Sequence, residues 1–480
     1  MVQRGTGKIT VHRLWLTEFR FGAPDTGSFS CSDEGLDRIY DAARWTSRLN
    51  TLDAFMDCPH RERNAMYSVE AFWIEKAVYN MFGDLSVSRR MIRCGADSID
   101  APDRVGPPGM MQIAYPMHVK YFATIIPSGP FFWVLHLGLN ELYSGDIELV
   151  KSMLPAMRRT LDAFDSFRDD DGLLENMPFW IFLDYSDVRT DGVSVAMNGL
   201  YAKALDEAAR LEQLAGDSAR ADLFASRANQ ARASLNRYCA GDSFYPDVLT
   251  RNAAKKLAPS KEACETTQYY VMWCDVPPPD RMRRMWLELR DDFIPTPLKK
   301  VQPIRGLTRG GLYTFMERME VSARLGDYPA LARDIKAMFL PMVDSAPGTL
   351  WEDPMAGIAL CHSIGCGVGG VLSEQILGIH PDFHEIRIAP HRCGTLSWCK
   401  GYVTARCRRI GVDWKWSPDR YTLTVALPAG TEAKVELPDE AKAVWQSGPA
   451  KQAWQDMLTV AGRTTISVKP GEMEEAHNSE

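Results

Sequence analysis

The amino-acid sequence predicts a mainly α-helical protein, a toroid of helical hairpins followed by a C-terminal β-sandwich. Three observations carry this. Between residues 33 and 379 apolar residues recur at helical spacing in stretches separated by Gly-, Pro- and Asp-rich loops. Several stretches pair through tight turns without a strict sequence repeat, which favours a toroid over a solenoid of recognisable period. After Gly378 the pattern changes to the strict alternation of half-buried strands.

The elements follow in order. Residues 1–32 form a short N-terminal β segment and linker: Thr10-Val11-His12-Arg13-Leu14-Trp15-Leu16 alternates, and Gly27-Ser28-Phe29-Ser30-Cys31-Ser32 leads into a cap. Ser32-Asp33-Glu34 caps a helix with apolar Leu36, Ile39, Tyr40 and Ala43 on one face. Further helices are predicted at 68–82, 130–144, 147–168, 194–214, 217–238, 279–292, 311–325, 328–342 and 364–377. The clearest hairpin joins Val193–Gly216 to Asp217–Tyr238 through a two-residue Gly-Asp turn. The helical domain thus spans 33–379. The β-sandwich spans 380–467, with strands in His384–Pro390, Tyr421–Leu427 and Ala433–Leu437, and the polar residues 468–480 read as a flexible tail.

Composition narrows the function. Apolar residues make up 45% of 480, enough for one large domain and a smaller one. A net charge of −7 without a long basic run excludes a nucleic-acid partner. No run approaches the roughly 18 apolar residues of a membrane span, and Met1–Lys8 lacks the apolar core of a secretion signal. The eleven cysteines contain no Cys-x-x-Cys pair, so they read as reduced, buried thiols in a cytoplasmic protein.

Two acid-bearing stretches carry the chemistry. Asp57-Cys58-Pro59-His60-Arg61-Glu62-Arg63 gathers two carboxylates and three basic side chains around a proline, and Thr349-Leu350-Trp351-Glu352 sets a tryptophan beside an acid. Cleaving a glycosidic bond needs an acid to protonate the leaving oxygen and a second carboxylate to act as nucleophile or to activate water. Glu62 is the candidate acid, provided that burial outweighs the arginines flanking it. Asp57 suits paired sugar hydroxyls, Glu352 is the candidate base, Trp351 offers a face for a sugar ring, and His362 is placed to orient the base. Trp180, Asp184 and Tyr185 mix aromatic faces with acid, as a carbohydrate subsite requires. Each stretch also has a plain structural reading: an Asp–Arg and Glu–Arg ion-pair network at a helix start, a surface acid before a helix, a loop-end aromatic. No second ligand at metal spacing accompanies His60, so neither metal nor cofactor is expected. The Gly365–Gly370 run lacks the strand–helix context of a nucleotide loop and reads as close helix packing.

Asp57-Cys58-Pro59-His60-Arg61-Glu62 resembles the Asp-Cys-Pro-x-Arg-Glu signature of the bacterial α-L-rhamnosidases of glycoside hydrolase family 78, in the six-hairpin glycosidase superfamily. Thr349-Leu350-Trp351-Glu352 is similar to that family's Thr-x-Trp-Glu, and Cys361-His362 stands where the family has Asn-His-Tyr. The resemblance implies an (α/α)6 barrel with a C-terminal β-sandwich and inverting release of terminal α-L-rhamnose. It assigns Glu62 as acid, Glu352 as base, and Asp57, Arg61 and His362 as sugar contacts. The chain departs from the family at Asn64-Ala65-Met66-Tyr67-Ser68-Val69-Glu70, where Gly-Trp or Gly-Tyr and then Gly-Asp are usual; Tyr67 and Glu70 are the candidate replacements. Two alternatives follow: a glycosidase of the same barrel for another sugar, such as an acidic oligosaccharide, and a non-catalytic carbohydrate-binding relative. The expected partner is a carbohydrate, with homo-oligomerisation open.

Overall fold

The computed structural model describes residues 10–60, 68–102, 106–113, 115, 125–241, 244–292, 303, 305–353, 359–448 and 454–477. Among these, thirteen α-helices occur. The first seven are α1 (Glu34–Asn50), α2 (Ser68–Phe82), α3 (Ser86–Asp97), α4 (Ser128–Ser144), α5 (Ile147–Asp162), α6 (Val195–Ala215) and α7 (Ser218–Tyr238). They are followed by α8 (Glu265–Trp273), α9 (Pro279–Leu289), α10 (Leu312–Arg324), α11 (Tyr328–Val343), α12 (Gly367–Val371) and α13 (Asp439–Gln446).

Local chemistry accounts for the helix ends. Asp33 accepts from the amides of Gly35 and Leu36 and so caps α1. Gly216 ends α6 in the left-handed region at φ 92°, where a side chain would be strained, and Asp217 then caps α7 through the Arg220 amide. That pair makes the expected hairpin.

Two kinds of helix result. Every residue of α2 from Val69 to Phe82 is buried, and α4, α8 and α10 are nearly so, the signature of a helix surrounded by protein. By contrast α1, α3, α5, α7 and α11 bury one face. The enclosed helices pack in sequence, α2 on α4, α4 on α6, α6 on α8, α8 on α10, α10 on α12, and α12 returns to α2. Trp273 of α8 meets Phe72 and Phe132, centroids 6.0 and 5.8 Å away, where α2, α4 and α8 face one another. The glycines of the Gly365–Gly370 run serve this packing: a Cβ at Gly370 would lie 3.0 Å from the Lys76 backbone and one at Gly367 3.1 Å from the Trp73 carbonyl. The predicted helix 364–377 is divided into a 3-10 turn at Ile364–Cys366, α12, and a π turn at Leu372–Ile376.

Strands gather mainly at the C-terminal end. A six-stranded sheet orders β1 (Ser28–Cys31), β7 (Trp398–Ala405), β8 (Arg408–Ser417), β9 (Arg420–Ala426), β12 (Arg463–Lys469) and β13 (Glu472–His477). A four-stranded sheet orders β11 (Met457–Ala461), β10 (Glu432–Glu436), β6 (Arg387–Ile388) and β5 (Ile379–His380). Buried and less buried residues alternate along β9 and β12, as a sheet covered on one face requires. A small third sheet, β2 (Val193–Ser194), β3 (Val248–Arg251) and β4 (Leu257–Pro259), lies within the helical region.

Two expectations are corrected here. Residues 468–477 are not a loose tail, because β13 pairs with β12 from Thr464 opposite His477 to Lys469 opposite Glu472. The alternating Thr10–Leu16 forms no strand; only Ser28–Cys31 does, and it pairs with β7, Ser28 opposite Tyr402. Alternation marks a strand only where a partner edge is within reach, and β7 supplies one to Ser28–Cys31 alone. Helices α3, α8 and α13 and the sheet β2–β4 have no counterpart among the predicted elements. Among the described residues no helix is long and apolar enough to cross a membrane.

Candidate active site

The site forms where the first turns of α2 and α10 meet two loops. The segment after α1 turns back when the Met56 amide donates to the Asn50 carbonyl, leaving Asp57 facing inward and buried. The Asp57 carbonyl accepts from the Ser363 amide at 3.0 Å, which ties this segment to the loop before α12. In that loop His362 donates its amide to Leu350 (2.9 Å) and Glu352 donates to Ala359 (3.2 Å). These backbone bonds lay residues 350–352 beside 359–362 and set Glu352 next to His362.

His362 is fully buried, with Nε2 2.6 Å from Asp57 Oδ1 and 3.7 Å from Glu352 Oε1. The Ile364 amide faces its Nδ1 at 3.2 Å, and Nε2 carries its proton towards the acids. Glu70, in the first turn of α2, accepts from the Tyr313 hydroxyl of α10 at 2.7 Å, and its other oxygen is buried without a hydrogen bond among the described residues. Tyr185 stands beside them, its ring 5.9 Å from that of Tyr313. Asp57, Glu70 and His362 present ligand atoms within 4.8 Å of one another, a donor set that could hold a cation; the Asp57–His362 contact occupies two of those atoms. Sequence spacing around His60 had not suggested this set, because its members lie far apart in the chain.

Crowding of acids sets the charge states. Burial, then the Asp57 carboxylate, raises Glu70 from its ordinary 4.5 to about 7, against opposing contributions from His362 and Tyr313. Burial alone would depress His362, but contact with Asp57 and the nearby Glu352 and Glu70 lift it to about 9; the amide facing Nδ1 opposes the second proton. Burial and the Glu352 charge also push the Tyr185 phenol well up, so it remains a donor.

These shifts predict a stability profile. Unfolded Glu70 loses its proton near pH 4.5 and folded Glu70 near 7, so in that window the folded state holds more protons and stability falls as pH rises. The His362 contribution has the same sign, present below 6.5 and lost through about 9. Glu70→Gln keeps the acceptor for Tyr313 but cannot titrate. The melting temperature of the native chain minus that of Glu70→Gln should therefore decline from pH 4.5 to 7 and level off above; a flat difference would show that Glu70 titrates normally.

The structure thus brings Asp57, Glu70, Glu352, His362 and Tyr185 together. Glu62, Arg61 and Tyr67 lie outside the described residues. Trp351 is half-buried, its indole N–H without a partner among the described residues, and Trp180 is 54% exposed, leaning on Phe182 at 5.2 Å. Asp184 departs from its expected role as a sugar contact: its carboxylate is buried and accepts hydrogen bonds from protein groups. Tyr313 was not singled out, since an aromatic in a helix start reads as core; its place in the first turn of an enclosed helix, like that of Glu70, was the available signal.

Comparison with known proteins bears on this arrangement. The family model of the bacterial alpha-L-rhamnosidase 6 hairpin glycosidase domain matches residues 24–258, and that of the bacterial alpha-L-rhamnosidase C-terminal domain matches 376–451. The chain belongs to the bacterial α-L-rhamnosidase family. Its structure is similar to a family 78 rhamnosidase of Bacillus sp. GL1 (TM-score 0.76, 23% identity, covering 88% of this chain and 44% of that one). It is also similar to the alpha-L-rhamnosidases of Dictyoglumus thermophilum (0.74, 14%, 93% and 50%) and of Streptomyces avermitilis, the latter solved with L-rhamnose (0.71, 16%, 93% and 42%). At these identities the likeness is one of fold, and the chain spans about half the length of each. No curated protein matches.

Proposed function

We propose that this chain is an inverting exo-glycoside hydrolase that releases terminal α-L-rhamnose, or a related deoxy-sugar, from glycosides or oligosaccharides. The observation that carries the reading is the buried group of Asp57, Glu70, His362 and Glu352, four titratable side chains from separate segments that converge at one point. The cyclic packing of α2, α4, α6, α8, α10 and α12 supports a six-hairpin (α/α)6 barrel over 33–379, and the two C-terminal sheets support a β-sandwich from 380.

In this mechanism Glu62 protonates the leaving oxygen while Glu352 takes a proton from water attacking the opposite face of the ring. Room for that water requires the two carboxyls to lie roughly 6.5–9.5 Å apart. Asp57, held by His362, binds ring hydroxyls; Arg61, Tyr67, Trp180 and Trp351 complete the subsite. A second reading, the same reaction on another sugar, is favoured by the departure at 64–70, which puts buried Glu70 among the acids.

The test is sugar release from aryl α-L-rhamnosides and rhamnose-ended oligosaccharides, followed by NMR of the anomeric proton. Prompt appearance of the inverted anomer of L-rhamnose is expected. Retained configuration would overturn the mechanism. Release from other glycosides in the absence of rhamnoside cleavage would overturn the sugar assignment, and silence on all glycosides would favour a non-catalytic binding protein.

A further inference from the structure

A second cavity opens among the enclosed helices, away from the acids. It holds about 540 Å3 and is walled by α2, α4, α6, α8 and α10, with Arg232 of α7. Glu70 and Tyr313 stand in the first turns of α2 and α10, whereas the cavity takes Lys76 and Glu320 from the same helices, about 9–10 Å further along at 1.5 Å per residue. It takes Leu139 and Leu142 from the second half of α4, Glu207 and Arg210 from the second half of α6, and Trp273, the last residue of α8. The cavity therefore lies towards the other ends of these helices from Glu70 and Tyr313.

The charges on its wall pair with one another or with neighbours, with one exception. Glu320 accepts from the Lys76 ammonium at 2.5 Å, Glu207 accepts from Arg210 at 2.7 and 2.9 Å, Asp206 pairs with Arg232, and Asp275 pairs with Arg324 at 2.7 Å. Lys203 is the exception. Its ammonium lies 4.7 Å from the centre of the Trp273 ring and makes no ion pair or hydrogen bond among the described residues. A ring face attracts a cation without neutralising it, so this charge stays available to an anion. Beside it the wall is apolar: Phe72, Leu135, Leu139, Leu142 and Trp273 line it, and Phe72 and Phe132 fix the Trp273 ring from 6.0 and 5.8 Å.

We propose that this cavity binds a small aromatic carboxylate, with its carboxylate on the Lys203 ammonium and its ring against Phe72, Trp273 and the leucines of α4. The argument is one of which groups remain unused. The acids of the wall are matched by protein cations, so a cationic ligand finds no open partner, whereas one ammonium beside an apolar surface is left over. A carboxylate on a flat apolar body uses both. A bare anion such as phosphate gains the ammonium alone and meets the nearby acids, and an uncharged aromatic gains the apolar wall alone. A concave, largely apolar space with a few placed polar groups is the general form of a small-ligand site. The site is independent of which sugar the acids at the other end act on.

The experiment is calorimetric titration of the full chain with cinnamate, with cinnamyl alcohol and inorganic phosphate as controls. Cinnamate should bind one-to-one with a dissociation constant below about 1 mM. Each control should bind at least about tenfold more weakly, since it lacks either the charge-assisted hydrogen bond or the apolar contact. Lys203→Met keeps the stem over Trp273 and removes the ammonium; it should weaken cinnamate at least about tenfold, and Lys203→Arg should restore most of the affinity. Lys203 is half-buried and unpaired, so both variants should melt close to the native chain. Leu142→Trp, which narrows the cavity and leaves its charges alone, should also weaken cinnamate. Absence of saturable binding by the native chain, binding of cinnamyl alcohol or phosphate as tight as that of cinnamate, or cinnamate affinity unmoved by Lys203→Met would overturn the inference.

Discussion

Glu352→Gln and Glu62→Gln are each expected to lower turnover by about a thousandfold or more while leaving the fold unchanged, since the amide preserves shape but cannot exchange a proton. The two losses should respond differently to the leaving group. An aryl group that departs readily as an anion needs little help from an acid, so the Glu62→Gln deficit should shrink on nitrophenyl rhamnosides and be full on alkyl rhamnosides. The Glu352→Gln deficit concerns the attacking water and should be similar on both. Burial of Glu352 at 4% exposure beside fully buried His362 means that the substituted amide remains in place rather than relaxing into solvent. Equal leaving-group dependence in the two variants, or wild-type rates in either, would refute the assignment of roles.

Arg318→Ala is expected to have the largest effect on stability, about 3–5 kcal/mol, as the buried Asp334 carboxylate loses its buried partner. Arg318 is fully buried in α10, with Nε 3.0 Å and Nη2 2.6 Å from Asp334 Oδ2 of α11. Its Nη2 also donates to the Arg290 carbonyl at 2.8 Å, its guanidinium lies 4.9 Å from the Trp286 ring, and it reaches the Tyr269 hydroxyl of α8. One side chain therefore joins α8, α10 and α11 to the end of α9. Alanine removes all of these contacts and leaves Asp334 with Arg333, at 2.9 Å, as its remaining ion-pair partner among the described residues. The urea unfolding midpoint reads the loss. Arg318→Ala combined with Asp334→Leu should recover part of it, because it removes the stranded charge. A cost below about 1 kcal/mol for Arg318→Ala would show that the pair breaks even against its desolvation.

Much of the helical architecture was legible because it is written in local terms. Asp33, Gly216 and Asp217 mark ends whose unpaired amides and left-handed caps need those residue types, and α2, α6, α7 and α11 lie within two residues of where apolar spacing puts them. Where the signal was weak the reading missed. Helix α8 is buried on every side and nine residues long, so no apolar stripe distinguishes it from a strand or a core loop. Residues Thr10–Leu16 alternate yet find no partner edge, and β13 looks polar because its edge position leaves glutamates at the surface.

The site divides in the same way. The sequence alone determined which acids are candidates, because proton transfer demands carboxyls and the stretches around Asp57 and Glu352 carry them beside histidine and tryptophan. Only the tertiary structure decided which of them meet: Asp57 against His362 at 2.6 Å across more than 300 residues of chain, Glu70 under Tyr313, and Asp184 turned inward to the starts of α8 and α10 instead of outward to a sugar. Residue type is a local property that the chain carries unaided. The direction a carboxylate faces, and hence the charge it bears, depends on donors and burial contributed by distant segments, and those exist only once the helices have packed.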